Sequence, residues 1–257
     1  MTVYTTEIAS DRLVSDNPVH QRLLKPYYYG KEFVNGSLLE LGCGEGRGID
    51  MILPFVKTYL GIDKIPEVIN NLSDQYPDCR FHYMHFPPFT GINDNSFDSV
   101  ISFQVIEHIR KDREFLREIN RVLKPGGVAI ITTPNREMSL TRNPWHVREY
   151  KADELLGICN EIFSKVTMRG ITGNHKVLQY YKENKESVQK ITRFDILNLQ
   201  YNLPSFMLRI PYDIMNRINR NRLKESNRGL VNEITHEDYL ISEHPSKALD
   251  LLCIMYK

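Results

Sequence analysis

The chain has 257 residues, of which 41% are hydrophobic and 25% are charged, an ordinary globular composition. A chain of this length can bury a full core, so we expect one α/β domain with an extension. The formal net charge is only +1. Nucleic-acid-binding proteins usually carry a basic surface, so we expect no nucleic acid among the partners.

The N-terminal sequence and the cysteines indicate the compartment in which the chain is expected to work. The N-terminus has no basic-then-apolar signal pattern, and no window approaches 18 uncharged apolar residues, so we expect neither secretion nor a membrane span. The four cysteines, Cys43, Cys79, Cys159 and Cys253, contain no C-x-x-C pair. This indicates neither a zinc site nor a disulfide framework. We therefore expect a reducing compartment, the cytoplasm, and no metal.

Strands and helices alternate along the chain as a parallel sheet requires. In chain order, the pattern predicts a helix at 18–33, a strand at 37–41, a helix at 49–53, a strand at 58–62, a helix at 67–75, strands at 80–84 and 97–103, a helix at 112–123, and strands at 128–132, 163–171 and 248–256. In the helix at 112–123, Phe115, Ile119, Val122 and Leu123 share one face, which we assign to the core.

A glycine-rich turn follows the first predicted strand. It reads Glu40-Leu41-Gly42-Cys43-Gly44-Glu45-Gly46-Arg47-Gly48. Glycine at alternate positions lets the backbone come within van der Waals distance of a ligand, since a Cβ there would occupy the ligand's volume. The second predicted strand leads into Asp63, whose carboxylate can accept hydrogen bonds from both hydroxyls of a ribose. Together, the turn and the acid predict a site for a nucleoside cofactor.

The glycine spacing discriminates between cofactor classes. A dinucleotide fold uses G-x-G-x-x-G, and counting from Gly42 the last position holds Arg47. The pattern therefore disfavours a nicotinamide-dependent oxidoreductase, which we keep as an alternative. The observed E-x-G-x-G-x-G resembles motif I of the class I S-adenosylmethionine (SAM) methyltransferases.

The resemblance extends over residues 37–135. Asp63 in "GIDKI" resembles the ribose-binding acid of motif II, 95–109 resembles the fourth strand and its following segment, and 117–135 resembles the helix, turn and fifth strand. The resemblance implies an α/β fold of the Rossmann-like methyltransferase type, with a seven-stranded, mostly parallel sheet, an antiparallel last strand and a helical insertion. We divide the chain into an N-terminal helical cap (1–36), a SAM-binding core (37–171), a helical insertion or lid (172–245) and a final core strand (246–257).

The resemblance also implies SAM as the cofactor. The residues expected to bind it are Glu40, Gly42, Cys43, Gly44, Gly46, Asp63, Lys64, His85, Phe86, Phe103 and Gln104. Many relatives place an acid after the third strand for the adenine amino group, but this chain reads Met84-His85-Phe86 there. We therefore expect adenine to rest on apolar walls and backbone groups near His85 and Phe86.

The expected reaction is in-line methyl transfer to oxygen or nitrogen of a small-molecule or glycan acceptor. An RNA methyltransferase is a further alternative, but it would require a basic face. His108 follows the fourth strand at the ligand-binding edge of the sheet. It is the candidate general base, because an imidazole titrates near neutral pH. The alternative is that His108 caps or packs the following helix.

The segment after the fifth strand is the candidate acceptor loop. It combines aromatic and hydrogen-bonding groups, which suits a sugar or aromatic acceptor. We expect Asn143, Trp145, His146 and Arg148 to contact the substrate. In the alternative, Trp145 anchors the loop and Arg148 pairs with a carboxylate.

The segment 172–245 is too long for a turn and predicts an added substructure. Within it, Ile210, Ile214 and Ile218 repeat at a spacing of four among arginines. Such a pattern can lie on an anionic membrane surface, so 207–224 is a candidate for peripheral membrane contact. We favour a helix that starts after Pro211 and packs this stripe on the domain. No feature of the sequence indicates an oligomeric state.

Overall fold

The computed structural model describes residues 14–193, 195 and 198–257. Residues 1–13 of the predicted N-terminal cap and three positions of the predicted insertion, 194, 196 and 197, lie outside the described residues. The helices are α1 (Asn17–Gly30), α2 (Ile49–Ile52), α3 (Pro66–Gln75), α4 (Asp112–Val122), α5 (Ala152–Asn160), α6 (His175–Thr192), α7 (Leu199–Asn202), α8 (Ser205–Ser226) and α9 (Arg228–Glu233). The strands are β1 (Ser37–Leu41), β2 (Thr58–Asp63), β3 (Arg80–Tyr83), β4 (Phe97–Phe103), β5 (Leu123–Pro134), β6 (Lys165–Gly173), β7 (Tyr239–Ser242) and β8 (Asp250–Tyr256).

The described strands form a sheet in the order β3-β2-β1-β4-β5-β8-β6-β7. Neighbours among β1 to β5 are parallel, whereas β8 runs antiparallel between β5 and β6. The predicted fold class, with its antiparallel last strand, is confirmed. The sheet has eight strands, not the predicted seven, because β7 adds to the edge of β6. Its four residues are too few to reveal the alternation of a strand.

Both faces of the sheet are buried, as expected for parallel strands covered by helices. Successive residues of β1 point to opposite faces. Leu38 joins the core that contains Ile101 and Ile130, while Leu39 joins the core that contains Val100. Strand β1 therefore contributes to two hydrophobic layers, which explains its nearly continuous apolar sequence.

The strand order reverses direction at β1. The chain passes from β1 to β2 on one side, while β4 pairs with β1 on the other side. In open α/β sheets, ligands bind outside the carboxyl ends of the strands at such a switch point. The glycine turn follows β1 here, and Gln104 follows β4.

The helix α8 begins earlier than predicted, because it runs through Pro211 from Ser205. Proline cannot donate the backbone hydrogen bond to the carbonyl of Met207. Both Met207 and Pro211 are exposed, so water can satisfy that carbonyl and the helix continues.

The orientation of α8 also differs from the prediction. The stripe of Ile210, Ile214 and Ile218 does not pack on the domain but is exposed. Instead, Arg217 and Arg220 form ion pairs with Asp16, which is fully buried just before α1. The polar side of α8 therefore faces the protein. None of the helices in the described ranges has the length and hydropathy needed to cross a membrane.

Candidate functional site

The glycine turn after β1 is held in a conformation that requires glycine. Gly42 and Gly44 have φ angles of +76° and +50°, a region that side chains other than glycine rarely adopt. A Cβ on Gly42 would lie 2.4 Å from a methyl of Val105, whereas a Cβ on Gly44 would meet nothing within 4 Å. Gly42 is therefore required by packing, while Gly44 leaves its backbone open to a ligand.

Asp63 at the end of β2 is fixed beside this turn. Its Oδ2 accepts a hydrogen bond from the backbone N–H of Gly44 at 2.9 Å, and its Oδ1 accepts one from Ile65 at 3.1 Å. The side chain is mostly buried. Each carboxylate oxygen can accept more than one hydrogen bond. The carboxylate is thus positioned by the backbone and retains acceptor capacity for a ligand.

A cavity of about 360 Å³, which we call the glycine-turn cavity, opens above the turn. Nine of the eleven predicted cofactor-binding residues line it, namely Gly42, Cys43, Gly44, Asp63, Lys64, His85, Phe86, Phe103 and Gln104. The other residues that line the cavity were not predicted to bind the cofactor. They are Leu23, Tyr27, Glu45, Arg47, Ile65, Met84, Val105, His108 and Ile109. Most are neighbours in sequence of assigned residues, so a wider window around each motif would have found them.

The other two residues predicted to bind the cofactor, Glu40 and Gly46, do not line this cavity. Glu40 is buried behind the turn, where it accepts hydrogen bonds from the hydroxyls of Tyr27 at 2.6 Å and Tyr59 at 2.5 Å. Burial raises the pKa of Glu40 to about 7, although both tyrosine hydrogen bonds act to lower it. Gly46 is a packing residue, because a Cβ there would lie 2.5 Å from a methyl of Leu72.

The far end of the glycine-turn cavity is mainly apolar. Phe86 packs against Phe89 and Phe115, with ring centroids 5.8 and 5.7 Å apart. His85 is held by a 3.0 Å hydrogen bond between its Nε2 and the hydroxyl of Tyr83. This end offers flat apolar surface and backbone groups, as expected for an adenine site without an acid.

A second cavity of about 280 Å³, which we call the insertion cavity, adjoins the first. Leu23, Gln104 and His108 line both. The insertion contributes polar and aromatic walls, which are Tyr180, Tyr181 and Asn184 from α6 and Tyr212, Asn216, Asn219 and Arg220 from α8. These residues were not predicted from the sequence. In each helix they repeat at a spacing of four and form a polar face, and such a face is usually interpreted as the side of a helix that is exposed to solvent.

His108 stands between the two cavities. Its Nδ1 lies 3.0 Å from the backbone carbonyl oxygen of Trp145. Because a carbonyl oxygen only accepts, Nδ1 carries the hydrogen, and the neutral ring presents Nε2 as its acceptor. This is the tautomer that a general base requires.

His146 packs edge-on against His108, with ring centroids 5.0 Å apart. Its Nδ1 donates to Glu149 at 2.6 Å, and its Nε2 accepts from the Asn143 side-chain amide at 2.8 Å. Burial acts to raise the pKa of Glu149, but hydrogen bonds from His146 and Ser139 hold that pKa below its usual range. Asn143 and His146 both line the insertion cavity.

Trp145 and Arg148, predicted to contact substrate, do not line either cavity. The Trp145 indole donates to Asp213 of α8 at 3.2 Å, and the guanidinium of Arg209 lies 4.3 Å from the centroid of its ring. Arg148 pairs with Asp112 at 2.5 Å. Both side chains therefore anchor the loop to neighbouring helices, the second of the two roles considered from the sequence.

Three potential metal ligands also meet here, although the sequence predicted no metal. One ligand atom from each of Glu107, His108 and His146 lies within 4.8 Å of the others. Glu107 is buried and accepts a hydrogen bond from Thr133 at 2.9 Å. Burial raises the pKa of Glu107 to about 7. The arrangement resembles the mixed imidazole and carboxylate sets that hold divalent cations.

Comparisons with known proteins agree with this geometry. Residues 39–131 match a family described as "Methyltransferase domain". A probable S-adenosylmethionine-dependent methyltransferase of Mycolicibacterium smegmatis is 37% identical over 124 residues, which cover 46% of this chain and 48% of that protein. A probable S-adenosylmethionine-dependent methyltransferase of Mycobacterium tuberculosis is 35% identical over 141 residues, with coverage of 52% and 51%. The chain thus spans about half the length of these curated relatives.

More distant matches extend the comparison. The mitochondrial ubiquinone biosynthesis O-methyltransferase of Rattus norvegicus is 31% identical over 114 residues, or 42% of this chain and 33% of that protein. Among solved structures, a SAM-dependent methyltransferase from Archaeoglobus fulgidus superposes with a TM-score of 0.54 at 15% identity and 93% coverage of both chains. A possible histamine N-methyltransferase from Thermotoga maritima gives a TM-score of 0.53 at 13% identity, covering 93% and 92%. At these identities the structures show a common fold alone.

Proposed function

Because the chain belongs to the class I S-adenosylmethionine-dependent methyltransferase superfamily, we propose that it transfers a methyl group from SAM to a small-molecule or glycan acceptor. The observation that carries the proposal is the adjacency of the two cavities. They share Leu23, Gln104 and His108. A cofactor in the glycine-turn cavity and an acceptor in the insertion cavity would therefore meet at His108.

The residues of the glycine-turn cavity fit SAM. The open side of Gly44 leaves room for the methionine part, Asp63 retains acceptors for the ribose hydroxyls, and Phe86 provides an apolar wall for adenine. When bound, SAM supplies a methyl group on a positively charged sulfonium. The protein must then mainly align the acceptor atom with that group, since proximity and orientation provide much of the rate enhancement.

We infer that His108 receives the proton of a hydroxyl acceptor. Its Nδ1–H is held by the Trp145 carbonyl, which fixes the ring and directs Nε2 away from that bond. General-base catalysis requires a ring that is fixed in the tautomer whose Nε2 can accept a proton. An amine that arrives deprotonated would need alignment alone.

A divalent cation held by Glu107, His108 and His146 is a second route to a deprotonated acceptor. The Nδ1–H groups of His108 and His146 are held by the Trp145 carbonyl and by Glu149, as is usual for histidines that ligate metals. His146 would have to release Asn143 to bind an ion. Such an ion would lower the pKa of a bound hydroxyl. Chelator treatment separates the routes, because only metal-assisted activity would be lost and then restored by Mg²⁺, Mn²⁺ or Zn²⁺.

The insertion cavity favours a hydroxylated acceptor. Its tyrosine hydroxyls and asparagine amides can both donate and accept hydrogen bonds, while the tyrosine rings provide flat apolar surface. Arg22 also lines this cavity, and its guanidinium can donate hydrogen bonds to an acceptor. The carboxylate of Asp250, 3.2 Å from the guanidinium, balances its positive charge. The rat relative's name, a ubiquinone biosynthesis O-methyltransferase, supports oxygen as the methylated atom.

Release of S-adenosylhomocysteine from SAM, measured with separate panels of saccharides, phenols and amines, tests the proposal. We expect acceptor-dependent release with a hydroxylated panel. Release with amines only would contradict oxygen as the methylated atom. Stabilisation by NAD or NADP, with no effect of SAM, would favour the oxidoreductase alternative.

A further inference from the structure

The solvent-facing side of α8 is apolar. Its outer face, as we call it, consists of Phe206, Met207, Ile210, Ile214, Met215 and Ile218. Phe206 and Ile210 are 71% and 72% exposed, and every member is at least 38% exposed. Thirteen large apolar side chains are exposed in the described part of the chain, and six of them lie on this one helix. The exposure is therefore a property of α8 and not of the surface in general.

This helix has the opposite orientation to an ordinary surface helix, which buries its apolar stripe and exposes its polar face. Here Tyr212, Asn216 and Arg220 face inward and line the insertion cavity. The Asp16 ion pairs of Arg217 and Arg220 hold α8 in this orientation. A contiguous apolar face that is fixed outward usually marks an interaction surface.

The charges of α8 indicate which partner fits this face. The helix carries five basic side chains, Arg209, Arg217, Arg220, Arg222 and Lys224, and two acidic ones, Asp213 and Glu225. The whole chain has a net charge of only +1. Arg217 and Arg220 are directed inward to the buried Asp16, so the net charge of the helix together with Asp16 is +2. Among the remaining basic side chains, Arg222 is exposed four residues after Ile218.

A second copy of the chain fits this face less well. A two-fold contact through α8 would bring two identical, positively charged helices together. An anionic bilayer would instead receive the apolar side chains among its acyl chains and the exposed Arg222 among its headgroups, as interfacial helices do. We propose that the outer face of α8 docks on an anionic lipid bilayer. Docking would place the wall of the insertion cavity about one helix diameter, roughly 10 Å, from the membrane surface.

Vesicle co-sedimentation of the full chain tests this inference, using phosphatidylcholine vesicles with and without 30% phosphatidylglycerol, on the order of the anionic content that attracts basic helices. We expect binding to the anionic vesicles that weakens as salt is raised. Ile210→Ser combined with Ile214→Ser should reduce the partition coefficient about tenfold or more. A matched control, Leu178→Ser with Leu240→Ser, changes two exposed leucines outside α8 and should bind like the wild type. Arg222→Glu should weaken binding and flatten its salt dependence.

Hydrogen exchange of the wild type with and without anionic vesicles gives a readout that does not depend on a variant's folding. Protection confined to α8 is expected. The inference is overturned if the wild type fails to bind, or if the Ile210 and Ile214 changes leave binding unaltered while the protein remains folded. A concentration-dependent dimer that the same double change abolishes, without vesicle binding, would assign the face to a second copy of the chain.

Discussion

At the scale of single residues, Asp63 connects the glycine turn to the proposed cofactor. Its carboxylate accepts hydrogen bonds from the backbone of Gly44 and Ile65, so its position depends on the same turn that shapes the cavity. This coupling has an experimental consequence. A change at Asp63 must be assessed for folding as well as for affinity.

We predict that Asp63→Ala weakens SAM binding by roughly 1.5 to 3 kcal/mol, the usual value of hydrogen bonds to a charged group. Calorimetry measures the affinity, and the melting midpoint shows whether the variant remains folded. Asp63→Asn, which keeps an acceptor but loses the charge, should lie between the wild type and the alanine variant. Equal affinity in all three proteins would remove Asp63 from the ribose site.

His108 is the residue whose role depends most on the acceptor. With a hydroxyl acceptor, His108→Gln should lower kcat by on the order of 10² to 10⁴, with little change in SAM affinity. The exposed His82 on β3 provides a control, because His82→Gln should leave kcat unchanged. A folded His108→Gln variant with wild-type kcat would exclude the base role.

Glu40 makes stability depend on pH. The folded chain raises the pKa of this carboxyl from 4.5 to about 7, chiefly by burial. The folded state thus holds the proton more tightly than the unfolded state, and stability falls as the pH rises from 4.5 through 7. Relative to Glu40→Gln, the wild type should lose roughly 3 kcal/mol over this range. Urea unfolding of both proteins at several pH values tests this. The other carboxyl groups contribute equally to both proteins, so they cancel in the difference between the two free energies of unfolding. If that difference does not change with pH, the pKa of Glu40 is not raised in the folded chain.

The sequence identified most of the glycine-turn cavity because backbone geometry restricts the residue types there. Gly42 and Gly44 have positive φ, and Asp63 ends a strand beside them. For Glu40, which does not line this cavity, the position within the motif does not reveal that its side chain accepts hydrogen bonds from Tyr27 and Tyr59 behind the turn. Polar residues of the insertion cavity were missed because a sequence does not distinguish a solvated face from one that lines a cavity.

At the scale of elements, α8 depends on ion pairs that are distant in sequence. Asp16 is fully buried and pairs with Arg217 and Arg220 at 2.9 and 3.0 Å. The apolar pattern of α8 predicted the wrong inward face, because this tertiary pairing determines the orientation. In contrast, the boundaries of β1, β2 and β4 agree with the prediction to within a residue, since each strand has buried residues on both of its faces.

We predict that Asp16→Ala destabilises the protein by about 1 to 3 kcal/mol. This is less than the usual cost of breaking a fully buried ion pair, because both arginine side chains remain partly exposed to water. Hydrogen exchange should accelerate mainly in α8. Glu225→Ala on the exposed side of the same helix is the control and should change neither quantity. Unchanged exchange in α8 after the Asp16 change would show that other contacts fix the helix.

At the scale of the whole molecule, different elements form the two cavities. The carboxyl ends of β1, β2 and β4 shape the glycine-turn cavity, while the insertion and the loop after β5 shape the adjoining insertion cavity. The segment that matches the methyltransferase domain family, 39–131, contains most residues of the glycine-turn cavity, whereas most residues of the insertion cavity lie outside it.

We propose that SAM binds in the glycine-turn cavity. Isothermal titration of the wild-type chain with S-adenosylhomocysteine, beside a titration with NAD, measures this binding directly. We expect one S-adenosylhomocysteine site per chain and no heat of binding from NAD. Saturable binding of NAD, with none of S-adenosylhomocysteine, would show that the cavity is not a SAM site.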